Sequence, residues 1–189
     1  MRHSRTLIAC LLLGLGATAL LADNAFVTDP EPDVPASVRP GTPWQEASVE
    51  LPAWPKDDDL VELVVDGPPS PFRYFVDSRS LRVGPDGAVR YTLVAEGRNG
   101  ARNVSVEGIR CTPKGRYKIF AYGSGNRLDR LEGSDWQPIS SDPGARYRQD
   151  LWRHHFCIPR GFKPRPESDM IRSLQGRIPP GQNMGFQAD

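Results

Sequence analysis

The chain has 189 residues, of which 38% are hydrophobic and 25% are charged, so it can form one domain with a packed core. This composition excludes wholesale disorder, which needs few apolar residues and a high net charge. The formal net charge is +1 at pH 7, from 24 basic and 23 acidic side chains. A dedicated nucleic-acid binder carries an excess of basic residues, so we expect no nucleic acid among the partners.

The first 22 residues have the pattern of a secretory signal peptide. Arg2 and Arg5 form a basic start, no residue from Thr6 to Leu21 is charged, and Ala22 suits the cleavage point. The uncharged stretch is shorter than the ~20 apolar residues that span a bilayer, so we expect no stable membrane span after cleavage. The segment predicts export; a mitochondrial transit peptide and an uncleaved anchor are the alternatives.

The three cysteines divide into one in the signal peptide and two in the body of the chain. Cys10 ends a stretch with the form of a bacterial lipobox, but the apolar run continues beyond it, so an outer-membrane lipoprotein is the less favoured interpretation. Cleavage leaves Cys111 and Cys157 in an oxidising compartment, where such pairs form disulfides. We therefore predict a bridge between them, with two free buried thiols as the alternative.

Residues 23–59 contain seven prolines and nine acidic residues against two basic ones, so the segment cannot offset its own ordering entropy. We predict a flexible acidic lead over residues 23–43 and a single domain over residues 44–160. Within the domain, Trp44, Leu51 and Trp54 are apolar anchors set among prolines. They predict an extended segment that lies on the surface of the domain.

Apolar and polar side chains alternate from Leu60 to Tyr122, which is the period of β-strands. Gly84-Pro85-Asp86-Gly87 and Asn99-Gly100 are typical of tight turns between strands. Consecutive hairpins predict an antiparallel meander of five or six strands with one face open to water.

Helical periodicity follows the strands. Asp142-Pro143 suits a helix start and Pro159 a helix end, which predicts one main helix of about 13 residues. Cys157 would then join this helix to the sheet, so the fold class is α+β with two layers. Residues 161–189 are predicted to hold a short helix, Ser168–Gln175, capped by Gly176, and a flexible tail.

The sequence contains no recognisable catalytic set. His154 and His155 point about 100° apart on a helix and cannot easily bind one ion, so we expect neither a metal nor a cofactor. Asp150 and His154 share a helix face, which favours structural ion pairing. The alternative is a hydrolase-like enzyme in which Asp150 orients His154 as the base, and this would need a Ser or Thr beside His154.

Large aromatic side chains are the remaining candidates for a functional surface. Trp44, Trp54 and Trp136 would mark a binding patch if one or two of them were exposed. The aromatic stretch Lys114–Tyr122 has the look of an RNA-binding strand, but Arg116 stands where a ring is required. Its aromatic residues are better interpreted as core residues of a sheet.

Several phrases of the sequence occur together in a known family. YFVDSRSLRVGPDGAVRYTLV at 74–94, GARNVSVEGIRC at 100–111, DWQPI at 135–139 and Phe156-Cys157 resemble the cryptic neisserial protein-like family. The resemblance implies a bacterial periplasmic protein of the cell envelope with no assigned activity, and no functional residue can be carried over from it. We therefore expect a non-enzymatic module that binds or scaffolds another, unknown envelope component.

Overall fold

The computed structural model describes residues 43–141 and 146–177. The predicted signal peptide, residues 23–42 of the predicted lead, the predicted helix start at Asp142-Pro143 and the chain beyond residue 177 lie outside these ranges. The described residues form one antiparallel sheet and a helical layer. The strands are β1 (Leu60–Leu63), β2 (Phe72–Asp77), β3 (Arg82–Val83), β4 (Ala88–Gly97), β5 (Arg102–Arg110), β6 (Arg116–Ser124), β7 (Arg127–Arg130) and β8 (Gln137–Pro138).

The order along the sheet is β1-β2-β4-β5-β6-β7, with β3 paired to β4 and β8 paired to β6. The antiparallel meander is therefore confirmed, but the predicted five or six strands is wrong, because the described residues contain eight. The sequence did not predict β7 and β8. These strands have four and two residues, and elements this short leave too few positions for a period of two to be recognised.

Both predicted turns are confirmed. The Gly87 N–H donates to Gly84 O (2.9 Å), and the Gly100 N–H donates to Gly97 O (2.9 Å). The φ angles are +73° at Gly87 and +79° at Gly100. Glycine occupies these left-handed positions at no steric cost, so each turn closes where its sequence predicts.

The helical layer contains α1 (Arg146–Asp150), which continues as a π-helical segment (Leu151–Phe156), and α2 (Glu167–Leu174). The helix before Pro159 is confirmed over its described part, although its second half is π-helical. The short C-terminal helix is also confirmed. At its end the Gly176 N–H donates to Ser173 O (3.1 Å), and Gly176 has φ +69°, as its predicted capping role requires.

The main core lies between one face of the sheet and the helical layer. Tyr91 and Ile109 from the sheet pack in it with Leu151 and Phe156 from the π-helical segment. Met170 of α2 is fully buried in the same core, so the packed unit extends beyond residue 160. The Cys111–Cys157 disulfide joins the end of β5 to the end of the π-helical segment, with a Cα–Cα distance of 5.5 Å, and confirms the predicted bridge.

The extended segment from Pro43 to Pro55 covers part of the other face of the sheet. Trp44, Val49 and Leu51 pack there against a second apolar cluster that includes Phe120 and Trp136. This position confirms the extended surface segment predicted from its apolar anchors. It also means that the face expected to be open to water is partly covered, which explains why β4 is buried on both sides.

Candidate functional site

A buried ionic network connects the sheet to the helical layer. Its centre is Glu107, which follows a β-bulge in β5 and is only 1% exposed. Glu107 Oε1 accepts hydrogen bonds from Ser105 Oγ (2.9 Å), Tyr147 Oη (2.9 Å) and Arg148 Nη2 (3.0 Å). Glu107 Oε2 accepts from Tyr91 Oη (3.1 Å) and from Arg148 Nε (2.9 Å). The carboxylate is thus fully enclosed by donors from two strands and one helix.

These contacts explain how two charges remain inside the core. Burial alone would lower the pKa of Arg148, but the hydrogen bonds to Glu107 and its negative charge outweigh this effect and raise it. Burial also raises the pKa values of Tyr91 and Tyr147, and the charge of Glu107 adds to both shifts. The network therefore keeps its protons at neutral pH and fastens α1 to β5.

A polar pocket lies just beyond this network, at the end of α1. It has a volume of about 360 Å³ and is lined by Val64, Asp66, Asp150, His154, His155, Ser173, Leu174 and Gly176. Asp66 comes from the loop after β1, Asp150 ends α1, and His154 belongs to the π-helical segment. One ligand atom from each of these three residues lies within 4.8 Å of the other two.

The two carboxylates of the pocket are held close together. The Asp66 N–H donates to Asp150 Oδ2 (2.8 Å), which fixes the loop after β1 against the end of α1. Burial raises the pKa of Asp150, and the negative charge of Asp66 also raises it, although the hydrogen bond from the Asp66 backbone and the neighbouring His154 and Arg153 act in the opposite direction. The pocket therefore concentrates negative charge beside an imidazole ring.

His155 and Ser173 form the inner wall of the polar pocket. His155 Nδ1 and Ser173 Oγ are 2.9 Å apart, and both residues are buried. Burial, together with the neighbouring His154 and Arg165, lowers the pKa of His155 to about 4. His155 is consequently neutral at pH 7 and joins the π-helical segment to α2.

The structure brings together Asp150 and His154, the two residues of the hydrolase alternative, but not in the arrangement that this alternative needs. Within the described residues, the serine hydroxyl of the pocket bonds to His155 and not to His154. Asp150 and His154 instead share their corner of the pocket with a second carboxylate, that of Asp66.

An apolar pocket of about 190 Å³ lies beside the disulfide. Its lining consists of Pro113, Trp152, Arg153, Cys157, Ile158, Pro159, Arg160 and Phe162. Two arginines and no acidic side chain contribute to this lining. The pocket thus suits a ligand in which an apolar group lies next to a negatively charged group.

The loop that presents Phe162 is tied down at its base. The Ile158 N–H donates to Lys163 O (2.9 Å), and Cys157 pairs with Pro164 in a β-bridge. Phe162 is 52% exposed and has a φ angle of +49°, a left-handed conformation that is costly for a bulky residue. The fold therefore holds a large apolar ring in water at the rim of the apolar pocket.

The three tryptophans predicted as patch residues occupy different environments. Trp136 is only 7% exposed and packs edge-on against Trp44, with ring centroids 5.7 Å apart. Trp44 is half-buried, its Nε1–H donates to Asp86 O (2.8 Å), and the guanidinium of Arg110 lies 3.6 Å from the centre of its ring. These two rings thus hold the extended segment on the sheet.

Trp54 lies at a groove of about 590 Å³ that is lined by Pro52, Ala53, Trp54, Pro55, Lys56, Asp58, Asp59, Asp77, Arg79, Ser80 and Arg82. Its ring packs so closely on β6 that a Cβ atom at Gly123 would lie 2.8 Å from Trp54 Cζ3. Position 123 of β6 therefore tolerates only glycine, because the Trp54 ring covers it.

Sequence reasoning missed Asp66, Ser173 and Phe162. Asp66 and Phe162 stand in loops without periodicity, and the bond between Ser173 and His155 links two helical segments that no local pattern connects. The adjacent Asp66-Gly67 and Gly161-Phe162 pairs were the available signals, since glycine in a loop indicates a constrained backbone.

The fold and the site define a disulfide-stapled α+β protein in which two separate pockets lie next to the segment between Asp150 and Phe162. A family model described as the CNP1-like family matches residues 39–175, and the chain belongs to this family. Similarity to Cryptic neisserial protein 1 of Neisseria gonorrhoeae strain ATCC 700825 / FA 1090 agrees with this assignment. The two are 28% identical over 120 residues, which cover 56% of this chain and 57% of that relative.

The chain thus spans little more than half the length of this curated relative. No solved structure matches the chain. In the part of the chain that the structure describes, none of the helices is long and apolar enough to cross a membrane.

Proposed function

We propose that this protein is an exported, non-catalytic binding module of the cell envelope. In this proposal the apolar pocket beside Phe162 receives an extended segment of a partner protein, in which an apolar anchor is flanked by acidic residues. The single observation that carries the proposal is the half-exposed Phe162 ring, held at the rim of the pocket by a left-handed backbone. Strained, exposed aromatic residues of this kind are retained where they serve binding.

Export is supported by two independent features. The first 22 residues have the pattern of a secretory signal, and the Cys111–Cys157 bridge suits an oxidising compartment such as the periplasm. The disulfide also lines the apolar pocket through Cys157. Oxidation would therefore complete the binding surface only after export.

The charge at the pocket indicates the kind of partner. Arg153 and Arg160 line it, and both are exposed. Acidic residues flanking the anchor of the partner would pair with these guanidinium groups, whereas basic residues would be repelled. Trp152, Ile158 and Phe162 would enclose the anchor itself.

Paired peptide arrays test the binding surface. Each pair carries the same aliphatic or aromatic anchor, flanked by Asp and Glu in one peptide and by Lys in the other, and is probed with the purified, oxidised protein. We expect the acidic set to bind, with at least a tenfold loss of affinity in both Phe162→Ala and Arg160→Glu. Phe72→Ala, which removes another exposed ring, is the matched control and should bind as the wild type does.

Binding of the lysine set, or equal binding by the wild type and Phe162→Ala, would refute the partner chemistry. Export is tested separately by intact-mass analysis of the protein recovered from the periplasm of a bacterial host. We expect a chain that starts at Asp23 with both remaining cysteines oxidised. Retention in the cytoplasm would refute export, and an acylated chain starting at Cys10 would make the protein a lipoprotein.

A further inference from the structure

The polar pocket contains a second candidate site, which is separate from the proposed peptide surface. Asp66, Asp150 and His154 come from different elements and bring two carboxylate oxygens and one ring nitrogen within 4.8 Å of one another. Asp66 and Asp150 are 84 residues apart in the chain, so only the tertiary structure joins them. Two carboxylates and one imidazole form a donor set that suits a zinc ion.

The surroundings of Asp150 provide an independent reason to expect a cation. Asp150 is only 8% exposed, and its Oδ2 already accepts a hydrogen bond from the Asp66 N–H. Asp150 Oδ1 takes no hydrogen bond from the described residues, and no lysine or arginine there forms a salt bridge with either carboxylate. Asp150 Oδ1 is therefore free to bind a cation that enters the polar pocket, and a cation there would offset the repulsion between the carboxylates of Asp66 and Asp150.

The local backbone explains how the three ligands converge. The helix changes from α to π directly after Asp150, and His154 follows four residues later on the same side, facing the polar pocket. Short π-helical insertions are frequent at functional sites, because the wider turn redirects side chains. The Glu107–Arg148 ion pair fixes α1 two residues before Asp150, so the end of α1 is held rigidly.

We propose that Asp66, Asp150 and His154 bind one Zn²⁺ ion, with its fourth coordination position open toward the polar pocket. Donor atoms at about 2.0–2.2 Å from a tetrahedral ion lie roughly 3.4 Å apart, so the ligand atoms, which lie within 4.8 Å of one another, need to approach by no more than about 1.4 Å on binding. Asp66 is exposed and on a loop, and it supplies this movement. His155, whose Nδ1 lies 2.9 Å from Ser173 Oγ, remains outside the coordination sphere as part of the pocket wall.

The test uses the purified, oxidised protein without a polyhistidine tag, after treatment with a chelator. Zinc chloride is titrated by calorimetry and in competition with a chromophoric chelator. We expect a stoichiometry of one ion per chain, with affinity at least tenfold lower in Asp150→Asn and in His154→Ala. Asp129→Asn, at an exposed carboxylate on β7, is the matched control and should bind as the wild type does.

Histidine-selective NMR gives a readout that does not depend on a variant folding correctly. Zinc should shift the ring signals of His154 strongly and those of His155 weakly. The proposal is overturned if the wild type binds no zinc, if Asp150→Asn and His154→Ala bind as tightly as the wild type, or if zinc leaves the His154 signals unchanged. None of these outcomes bears on the peptide surface, because the titration contains only the metal.

Discussion

Removing the charge of Glu107 should destabilise the fold more than any substitution at the surface. The Glu107→Gln variant replaces a carboxylate that accepts five hydrogen bonds with an amide that must direct two N–H groups at donors. It also removes the negative charge of Glu107 from beside the Arg148 guanidinium, which is only 5% exposed. Breaking a buried ion pair in this way costs about 3–5 kcal/mol, a large part of the stability of an ordinary domain.

A double-mutant cycle separates the ion pair from the other contacts. Arg148→Met alone should also cost about 3–5 kcal/mol, because it leaves the Glu107 carboxylate buried and unpaired. In the double variant, Glu107→Gln with Arg148→Met, the loss in the free energy of unfolding should be about 3 kcal/mol smaller than the sum of the losses in the two single variants. Urea unfolding of the oxidised protein, followed by tryptophan fluorescence, measures all four free energies of unfolding.

Glu62→Gln is the matched control, since Glu62 pairs with Arg73 at the surface. Both side chains are about half exposed or more, so this substitution should change the free energy of unfolding by less than about 1 kcal/mol. The reasoning would be refuted if Glu107→Gln cost no more than Glu62→Gln. It would also be refuted if the losses in the two single variants simply added in the double variant.

Three further predictions concern other parts of the fold. Replacing Cys111 and Cys157 by serine should lower the free energy of unfolding by about 4 kcal/mol, because the bridge joins residues 46 positions apart. The free energy of unfolding should fall by on the order of 3 kcal/mol as the pH drops from 6.5 to 4. The reason is that the His155 ring binds a proton more tightly in the unfolded chain than in the folded one. Trp44→Ala should cost about 2 kcal/mol through loss of its hydrogen bond and ring contacts. Urea unfolding measures all three.

Each of these predictions has its own control. A reducing agent should destabilise the wild type but not the variant without Cys111 and Cys157. The pH profile of His155→Gln should lack the loss between pH 6.5 and 4, and parallel profiles for wild type and variant would contradict the role given to His155. Tyr122→Ala, at an exposed ring on β6, should change stability by less than about 0.5 kcal/mol, and an equal loss in Trp44→Ala would contradict the role given to Trp44.

The resemblance to the family can be recognised in the amino-acid sequence itself, because it rests on contiguous sequence segments. Much of the sheet could be predicted for a similar reason. Strands β2, β4, β5 and β6 alternate apolar and polar positions, and the glycine turns at 84–87 and 99–100 mark where the chain reverses. β7 and β8 escaped prediction because pairing with β6, and not their own pattern, makes them strands.

The functional pockets depend on contacts between distant parts of the chain. Glu107 and Arg148 are 41 residues apart, and neither position shows locally that the other will lie 2.9 Å away in the core. The same applies to Asp66, which reaches Asp150 only because β1 and the end of α1 meet at one corner of the fold. A sequence pattern records which face of an element is apolar, but not which polar side chains of other elements will face it.

The sequence alone determined the type of each main element, the turn positions, the apolar anchors of the extended segment and the pairing of Cys111 with Cys157. Backbone geometry and hydrophobic periodicity are local properties, and two cysteines remaining after the predicted cleavage admit one intramolecular bridge. Only the tertiary structure decided the number of strands, the buried ion pair and the composition of both pockets. These features require the free energy of burial and charge pairing to be balanced over the whole core, which no local segment encodes.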